Sequence, residues 1–527
     1  MSNSNSLSDA IRNAYRNNEE DETLEPLVLT GMDRVPIGRI KNGDPVIFYN
    51  IRGEREVELS RSLTESGFDE FPVDACFSCD LTTMIQYHKG LNAAVAFPPE
   101  ETVEDTLSDV LSAHAIKQIK ITEAEKAIHV GYFLNGKKAG PVAGEERIIV
   151  PTRKDVALFD EAPEMSIAAI TEATLQKIKE SSVQFIFTNF PNVDVVGHIE
   201  NESAILSAVA AVDRHLGLVV DEARRQDMTV IITADHGTVE KWQYPDGTVD
   251  TGHTDSPVPF ILIHPGYDRP LRDQGALSDI APTILDLFGL PKPPSMTGRS
   301  LMSESPSCAN RSCKRLILIL LDGWGENATL QGNLIVKADT PRMDVFRKDH
   351  PFTLLLASGE AVGLPPGTVG NSEAGHLHIG SGRTIFSDRL KIDQAIENGL
   401  FFQNPAFLTA MDKSSQNDRP LHLMGIVSFF SSHGSINHLF ALMEMAKQKG
   451  IKELYIHAML GRRGELPESG AIYVERVEQK ARDLGLGTVV SVIGRYWSMD
   501  REDNWDRIEK TYRMLVHGEG RQISGGF

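Results

Sequence analysis

The chain has 527 residues, 41% of them hydrophobic, which is enough length and apolar content for two or more buried cores. Its 53 Lys and Arg against 73 Asp and Glu give a net charge of -20. That balance argues against nucleic-acid binding and against anionic membrane surfaces, and leaves any anionic small substrate to a local cluster of cations. Four cysteines in so long a chain do not suggest a disulfide framework.

In chain order, the first chemical signal is Asn50-Ile-Arg52-Gly-Glu-Arg55, where two guanidiniums stand three residues apart, a spacing suited to bidentate anion contacts. Cys76 and Cys79 have zinc-knuckle spacing, but no second ligand pair follows, so both read as packing residues. Val183-Gln-Phe-Ile-Phe-Thr reads as an apolar strand leading into Asn192-Val-Asp194-Val-Val-Gly-His198. Asp194 and His198 lie four apart and share one face if a helix begins there. Met228-Thr-Val-Ile-Ile-Thr leads in the same way into Ala234-Asp235-His236-Gly237, and His253 follows in Asp250-Thr-Gly-His-Thr. Asp and His are the ligand types that borderline divalent metals prefer. A lone histidine is more often packed or solvated than a ligand; a repeated placement at strand ends is harder to dismiss.

Ser303 to Cys313 has no apolar period and has linker composition. Beyond it, Leu316-Ile-Leu-Ile-Leu-Leu predicts a buried parallel strand that delivers Asp322 at its carboxyl end, where open α/β sheets put their chemistry. Gly370-Asn-Ser372-Glu-Ala-Gly-His376 follows, its two glycines permitting a tight turn that presents a hydroxyl near a helix N-terminus. Alternating apolar strands and helical stretches imply α/β architecture throughout. There is no internal repeat, no stretch is read as approaching the apolar length of a membrane span, residues 1–18 lack a signal-peptide core, and the expected compartment is the cytoplasm.

These motifs together closely resemble the cofactor-independent (2,3-bisphosphoglycerate-independent) phosphoglycerate mutases, metalloenzymes of the alkaline-phosphatase superfamily. The resemblance runs from about Ala10 to about Gly520, in rotated order. The family's amino-terminal segment begins here near Lys314 and its carboxy-terminal segment ends near Met302, so the chain looks like a circular permutant with residues 303–313 tying the family's original ends together. The new cut falls between Gly518-Glu-Gly520 and Leu7-Ser-Asp-Ala-Ile-Arg-Asn-Ala-Tyr15, a loop before a helix in the family pattern. The implied fold is an alkaline-phosphatase-like parallel-sheet domain over 101–386, and a phosphotransferase α/β domain split between 1–100 and 387–527.

By resemblance, one metal ion is held by Asp194, His198 and His253, and a second by Asp322, Asp235, His236 and the Ser372 oxygen. Ser372 is the residue transiently phosphorylated, and the metals are usually manganese. The histidines bind as neutral rings, so acid should release metal. The family's substrate set maps onto Arg52, Arg55, Lys126, His433, Arg495 and Arg501. Two segments depart from the family. Ser428-Phe-Phe-Ser-Ser-His433-Gly-Ser435 lacks an acidic residue and gains two aromatics. His457-Ala-Met-Leu-Gly-Arg-Arg463-Gly-Glu465-Leu-Pro467 puts glycine where the family has a substrate-binding aspartate after its arginine; one inserted residue would offer Glu465 beside Arg463 instead. The implied activity is interconversion of 3-phosphoglycerate and 2-phosphoglycerate through a phosphoserine in glycolysis and gluconeogenesis, by a monomer that needs no 2,3-bisphosphoglycerate. The alternative is a metal-dependent phosphohydrolase that keeps the Ser372 site without productive retransfer.

Overall fold

The computed structural model describes residues 6–74, 77–99, 102–265, 267, 269–303, 313–429, 431–461 and 468–524. The chain divides into two compact units, Met1–Pro99 with Asp388–Phe527, and Glu100–Ser387. Each is an α/β unit built on an eight-stranded, mostly parallel sheet.

In the unit of residues 100–387 the strands run in the order Gln274–Ala276, Phe352–Leu356, Val258–Ile263, Thr229–Thr233, Leu316–Leu321, Phe185–Phe190, Gln118–Glu123 and Glu145–Val150. Only Val258–Ile263 runs against its two neighbours. The strand Leu316–Leu321 lies at the centre, pairing in parallel with Phe185–Phe190 on one side and Thr229–Thr233 on the other. All six of its residues are fully buried, which explains its unbroken apolar run: a strand covered on both faces has no solvent side to alternate with. Each such Leu or Ile contributes about 1.5–3 kcal/mol by leaving water. Because the three central strands are parallel and in register, their carboxyl ends, and the polar residues just beyond them, fall side by side.

The helix Glu202–Arg225 covers this sheet, and it corrects one expectation. By length and composition it would pass as a membrane span, yet two thirds of its apolar window is buried inside the unit. Ile205, Val209, Val212, Leu216, Val219 and Val220 are all fully buried, so the apolar composition belongs to a helix inside a protein core.

In the other unit the order is Arg521–Ser524, Leu27–Thr30, Thr488–Gly494, Leu454–Leu460, Leu421–Ile426, Pro45–Phe48, Asp80–Ile85 and Ala94–Phe97. Leu27–Thr30 is antiparallel to Thr488–Gly494, and every other pairing is parallel. Leu7–Tyr15 is a helix capped by the Ser6 side chain, which accepts from the Asp9 amide. Its amphipathic side packs Leu7, Ala10, Ile11 and Ala14 into the core. Cys79 is a buried free thiol, and Cys313, in the unit of residues 100–387, is a half-buried one. Cys76 and residues 304–312 of the linker lie outside the described residues.

Candidate functional site

The carboxyl ends of four neighbouring parallel strands supply the reactive groups. Asp322 directly follows Leu316–Leu321, and Asp235 follows Thr229–Thr233 by two residues. Asp194 lies in the short helix Asn192–Gly197 that begins just after Phe185–Phe190, and Lys126 ends the turn after Gln118–Glu123. Ser372 is the first residue of the helix Ser372–Ser381, whose cap is Asn371 accepting from the Ala374 amide at 2.9 Å. Two glycines allow these segments to close up. Gly323 has φ +84°, and a Cβ there would stand 2.7 Å from the Asp194 amide nitrogen. A Cβ at Gly375 would meet the Asp235 carbonyl oxygen at 2.7 Å.

The result is one cluster, buried except at His198 and His253. Ser372 Oγ lies 2.6 Å from Lys126 Nζ, 3.0 Å from His236 Nε2 and 3.3 Å from Asp322 Oδ1. Lys126 also donates to Asp194 Oδ2 at 2.6 Å and Asp322 Oδ1 at 2.9 Å. His198, at the end of its helix, reaches back to Asp194 Oδ1 at 3.3 Å, and His253 Nε2 stands 3.1 Å from the same oxygen. Asp194, His198 and His253 therefore form one group with metal-ligand spacing, and Asp194, His236 and Asp322 form a second.

A third group, Asp235, Asp322 and His376, was not anticipated as a ligand set. The available signal was the four-residue spacing from Ser372 to His376, which puts both on one helical face. His376 Nδ1 donates to the Ser372 carbonyl at 2.9 Å, and Asn189 Nδ2 donates to Asp322 Oδ2 at 2.9 Å.

Electrostatics tie the groups together. Burial alone would lower Lys126, but Asp322, Asp194 and Asp235 raise its ammonium above the ordinary lysine value. Burial also opposes ionisation of Asp194 and Asp322, yet Lys126 and His236 hold both below the usual carboxylate range. His236 is fully buried, and the three surrounding carboxylates push it up to about 10 against that burial. Asp235 is the telling residue: it is fully buried, and neither of its carboxylate oxygens has a hydrogen-bond partner. A buried anion of this kind calls for a cation. The Asp and His donors around it are suited to divalent metals, so the residues present fit metal ions.

The expected substrate residues divide between the units. Lys126 belongs to the buried cluster just described. Arg52, Arg55, His433, Arg495 and Arg501 lie in the unit that contains both chain ends. There Glu54 bridges Arg52 Nε at 2.5 Å and Arg501 Nη1 at 3.0 Å, with all three side chains about half exposed. Arg55 donates to the Met499 carbonyl at 3.1 Å, and Arg495 faces Glu22 at 3.9 Å. His433 is buried, its Nδ1 3.2 Å from Glu56. Arg463 and Glu465 lie outside the described residues. Glu54 and Glu56 were not singled out from sequence, because an acidic residue beside an arginine reads as solvated charge.

Residues 392–525 match the pattern of the "BPG-independent PGAM N-terminus". A 2,3-bisphosphoglycerate-independent phosphoglycerate mutase of Moorella thermoacetica is 38% identical over 302 residues, covering 56% of this chain and 57% of that protein. One of Desulforudis audaxviator is 46% identical over 209 residues, 40% of this chain and 41% of that one. A Leishmania mexicana phosphoglycerate mutase crystal structure is 28% identical with a TM-score of 0.36, covering 52% of this chain and 53% of that chain. The chain spans about half the length of the curated relatives it matches. The Metalloenzyme superfamily pattern matches residues 10–292, more than half of the 527. With that match and a buried carboxylate and histidine cluster, the chain belongs to the Metalloenzyme superfamily.

Proposed function

We propose that this chain is a 2,3-bisphosphoglycerate-independent phosphoglycerate mutase, interconverting 3-phosphoglycerate and 2-phosphoglycerate through a phosphoserine at Ser372. The observation that carries this reading is the position of Ser372 Oγ within hydrogen-bonding distance of Lys126, His236 and Asp322. Two divalent ions, with manganese the first choice, would be held by Asp194, His198 and His253, and by Asp322, Asp235, His236 and Ser372. When bound, they supply positive charge that favours a deprotonated serine hydroxyl and offsets charge on the phosphoryl oxygens. Ser372 Oγ forms a bond to phosphorus as the bond from phosphorus to the glycerate oxygen breaks, and that oxygen takes up a proton. Retransfer to the other glycerate hydroxyl reverses the sequence, and that hydroxyl loses its proton. Lys126 keeps a fixed positive charge beside the serine oxygen throughout. Arg52, Arg55, Arg495, Arg501 and, in the 462–467 segment, Arg463 are the cations that a carboxylate and a phosphate require.

Residues 101–386 are the phosphatase-like domain in this reading, and residues 1–100 with 387–527 are the phosphotransferase domain. The order of the matches supports a circular permutation, since a pattern described as an amino terminus falls on residues 392–525, after the superfamily match to 10–292. A cytoplasmic monomer acting in glycolysis and gluconeogenesis completes the proposal. One observation favours the second reading, a phosphohydrolase: Ser372 and all its close partners belong to a single unit. The test is purified protein with manganese, measuring interconversion of the two phosphoglycerates alongside free phosphate. Interconversion without phosphate release supports the mutase; release of phosphate without interconversion replaces it with the hydrolase.

A further inference from the structure

Glu56 is fully buried. It occupies the position before the helix Val57–Thr64, yet its side chain makes no capping bond there; it turns inward instead. One oxygen accepts from Asn50 Nδ2 at 2.7 Å and stands 3.2 Å from His433 Nδ1, and the other accepts from the Arg55 amide at 3.1 Å. Asn50 is itself fixed, its Oδ1 accepting from the Ile426 amide at 2.8 Å at the end of the strand Leu421–Ile426. The His433 backbone is held from both sides, its carbonyl accepting from the Ile51 amide at 2.7 Å and its amide donating to Ser431 Oγ at 3.1 Å. Among the described residues, His433 is the one ionisable side chain that pairs with Glu56.

A carboxylate without a fixed cation is costly to bury. Here two donors, an asparagine and a backbone amide, hold it ready, and its remaining partner is an imidazole nitrogen. A carboxylate that already accepts two hydrogen bonds can only accept from that ring as well. It therefore selects the tautomer with the proton on Nδ1 and leaves a lone pair on Nε2. The segment 428–435 carries no acidic residue of its own, and the carboxylate comes instead from a position 377 residues away in sequence.

We propose that Glu56 is a positioning residue that locks His433 with Nδ1 protonated and so leaves Nε2 as a hydrogen-bond acceptor for a hydroxyl of the ligand this unit binds. That the ligand is a glycerate rests on the mutase reading; the tautomer does not. Nδ1–H stays bonded to Glu56, and Glu56 itself takes no proton.

The test combines side-chain nitrogen NMR of His433, assigned by loss of its signal in His433→Ala, with steady-state kinetics. The wild-type ring should show the Nδ1–H tautomer. Glu56→Leu should shift it toward the common Nε2–H form and, by removing the acceptor, lower kcat/KM by roughly tenfold or more. Glu56→Gln, nearly the same shape and still an acceptor, should keep the tautomer and retain more kcat/KM than the leucine variant. The double variant Glu56→Leu with His433→Ala should be no slower than His433→Ala alone, since a residue acting through His433 has nothing left to position. A wild-type ring in the Nε2–H form, or additive losses in the double variant, would overturn the proposal. Wild-type protein that shows the Nδ1–H tautomer but does not interconvert phosphoglycerates would sink the mutase reading and the Nε2 role while keeping Glu56 as the group that fixes the ring.

Discussion

The Ser372 cluster of one unit and the arginine cluster of the other hold charge in opposite ways. In residues 100–387 most of the reactive groups are buried: Asp322, Asp235 and His236 are fully buried, and Lys126 and Ser372 are 4% and 5% exposed. In the other unit Arg52, Arg501 and their shared partner Glu54 remain about half exposed. A buried cluster fixes distances to a few tenths of an ångström, as transfer of a phosphoryl group to one oxygen demands. Half-exposed guanidiniums stay hydrated and adjustable, which suits capture and release of an anion. His433 with Glu56 is a buried pair in this unit, as is His422 with Asp44.

The comparison breaks most completely at the nucleophile. Ser372→Ala should lower kcat by roughly 10⁴-fold or more while leaving the fold intact. Intact-mass analysis after rapid quench should show a phosphorylated wild-type species that the variant lacks, and normal turnover by the variant would refute the covalent route. Glu465→Gln comes next, with an expected loss of roughly two to four orders of magnitude in rate if that carboxylate moves a proton. An unchanged rate would leave the proton transfer to another group.

Lys126→Met tests the buried character of the first cluster. Asp194 and Asp322 would lose their shared cation, so chelator-treated variant should be less stable than chelator-treated wild type by about 3 kcal/mol. Adding manganese should restore most of the difference in a denaturant titration; an equal loss with and without the metal would mean that Lys126 serves packing alone. Glu54→Gln tests the exposed cluster and should be far milder. Loss of the bridge between Arg52 and Arg501 should raise KM by roughly threefold to tenfold with kcat nearly unchanged. A large fall in kcat would mean that these arginines act in the chemical step.

The smallest expected effect is a pH dependence of stability in the unit that contains both chain ends. His422 Nδ1 and His457 Nε2 are 3.0 Å apart on adjacent strands, and His457 Nδ1 meets Ser491 Oγ at 2.7 Å. Burial lowers both rings, aided at His457 by the charge of His422, and opposed at His422 by Asp44. The unfolded chain then binds more protons than the folded one below the ordinary histidine value of about 6.5. Stability from this pair is complete above that pH and is lost as the pH falls toward the lowered folded values. Urea midpoints followed by Trp497 and Trp505 fluorescence should fall between about pH 7.5 and 5, and His457→Asn should flatten the slope.

The apolar run Leu316 to Leu321 was legible because a strand buried on both faces has no solvent side to alternate with, and its partners near 185–190 and 229–233 were legible as mostly apolar runs whose buried exceptions, Thr188 and Asn189 among them, carry hydrogen bonds. Their aspartates were legible because a polar residue directly after such a run is forced to the sheet's carboxyl edge. The resemblance extended that reading to His198, His253 and Ser372, and the i to i+4 spacing of Asp194 and His198 was enough to predict a shared face. The helix Glu202–Arg225 marks a limit of composition, since a core helix and a membrane span present the same apolar content and differ only in what surrounds them.

Tertiary structure decided the contacts that no local pattern encodes. Lys126 reaches Ser372 across 246 residues, and Glu56 reaches His433 across 377. His376 became a fourth histidine of the cluster only when its helix met Asp235. Periodicity and capping act within a few residues and so leave their mark on sequence, whereas pairing of buried charges is fixed by which strand ends are neighbours. That is a property of sheet order, which the linear chain carries only implicitly.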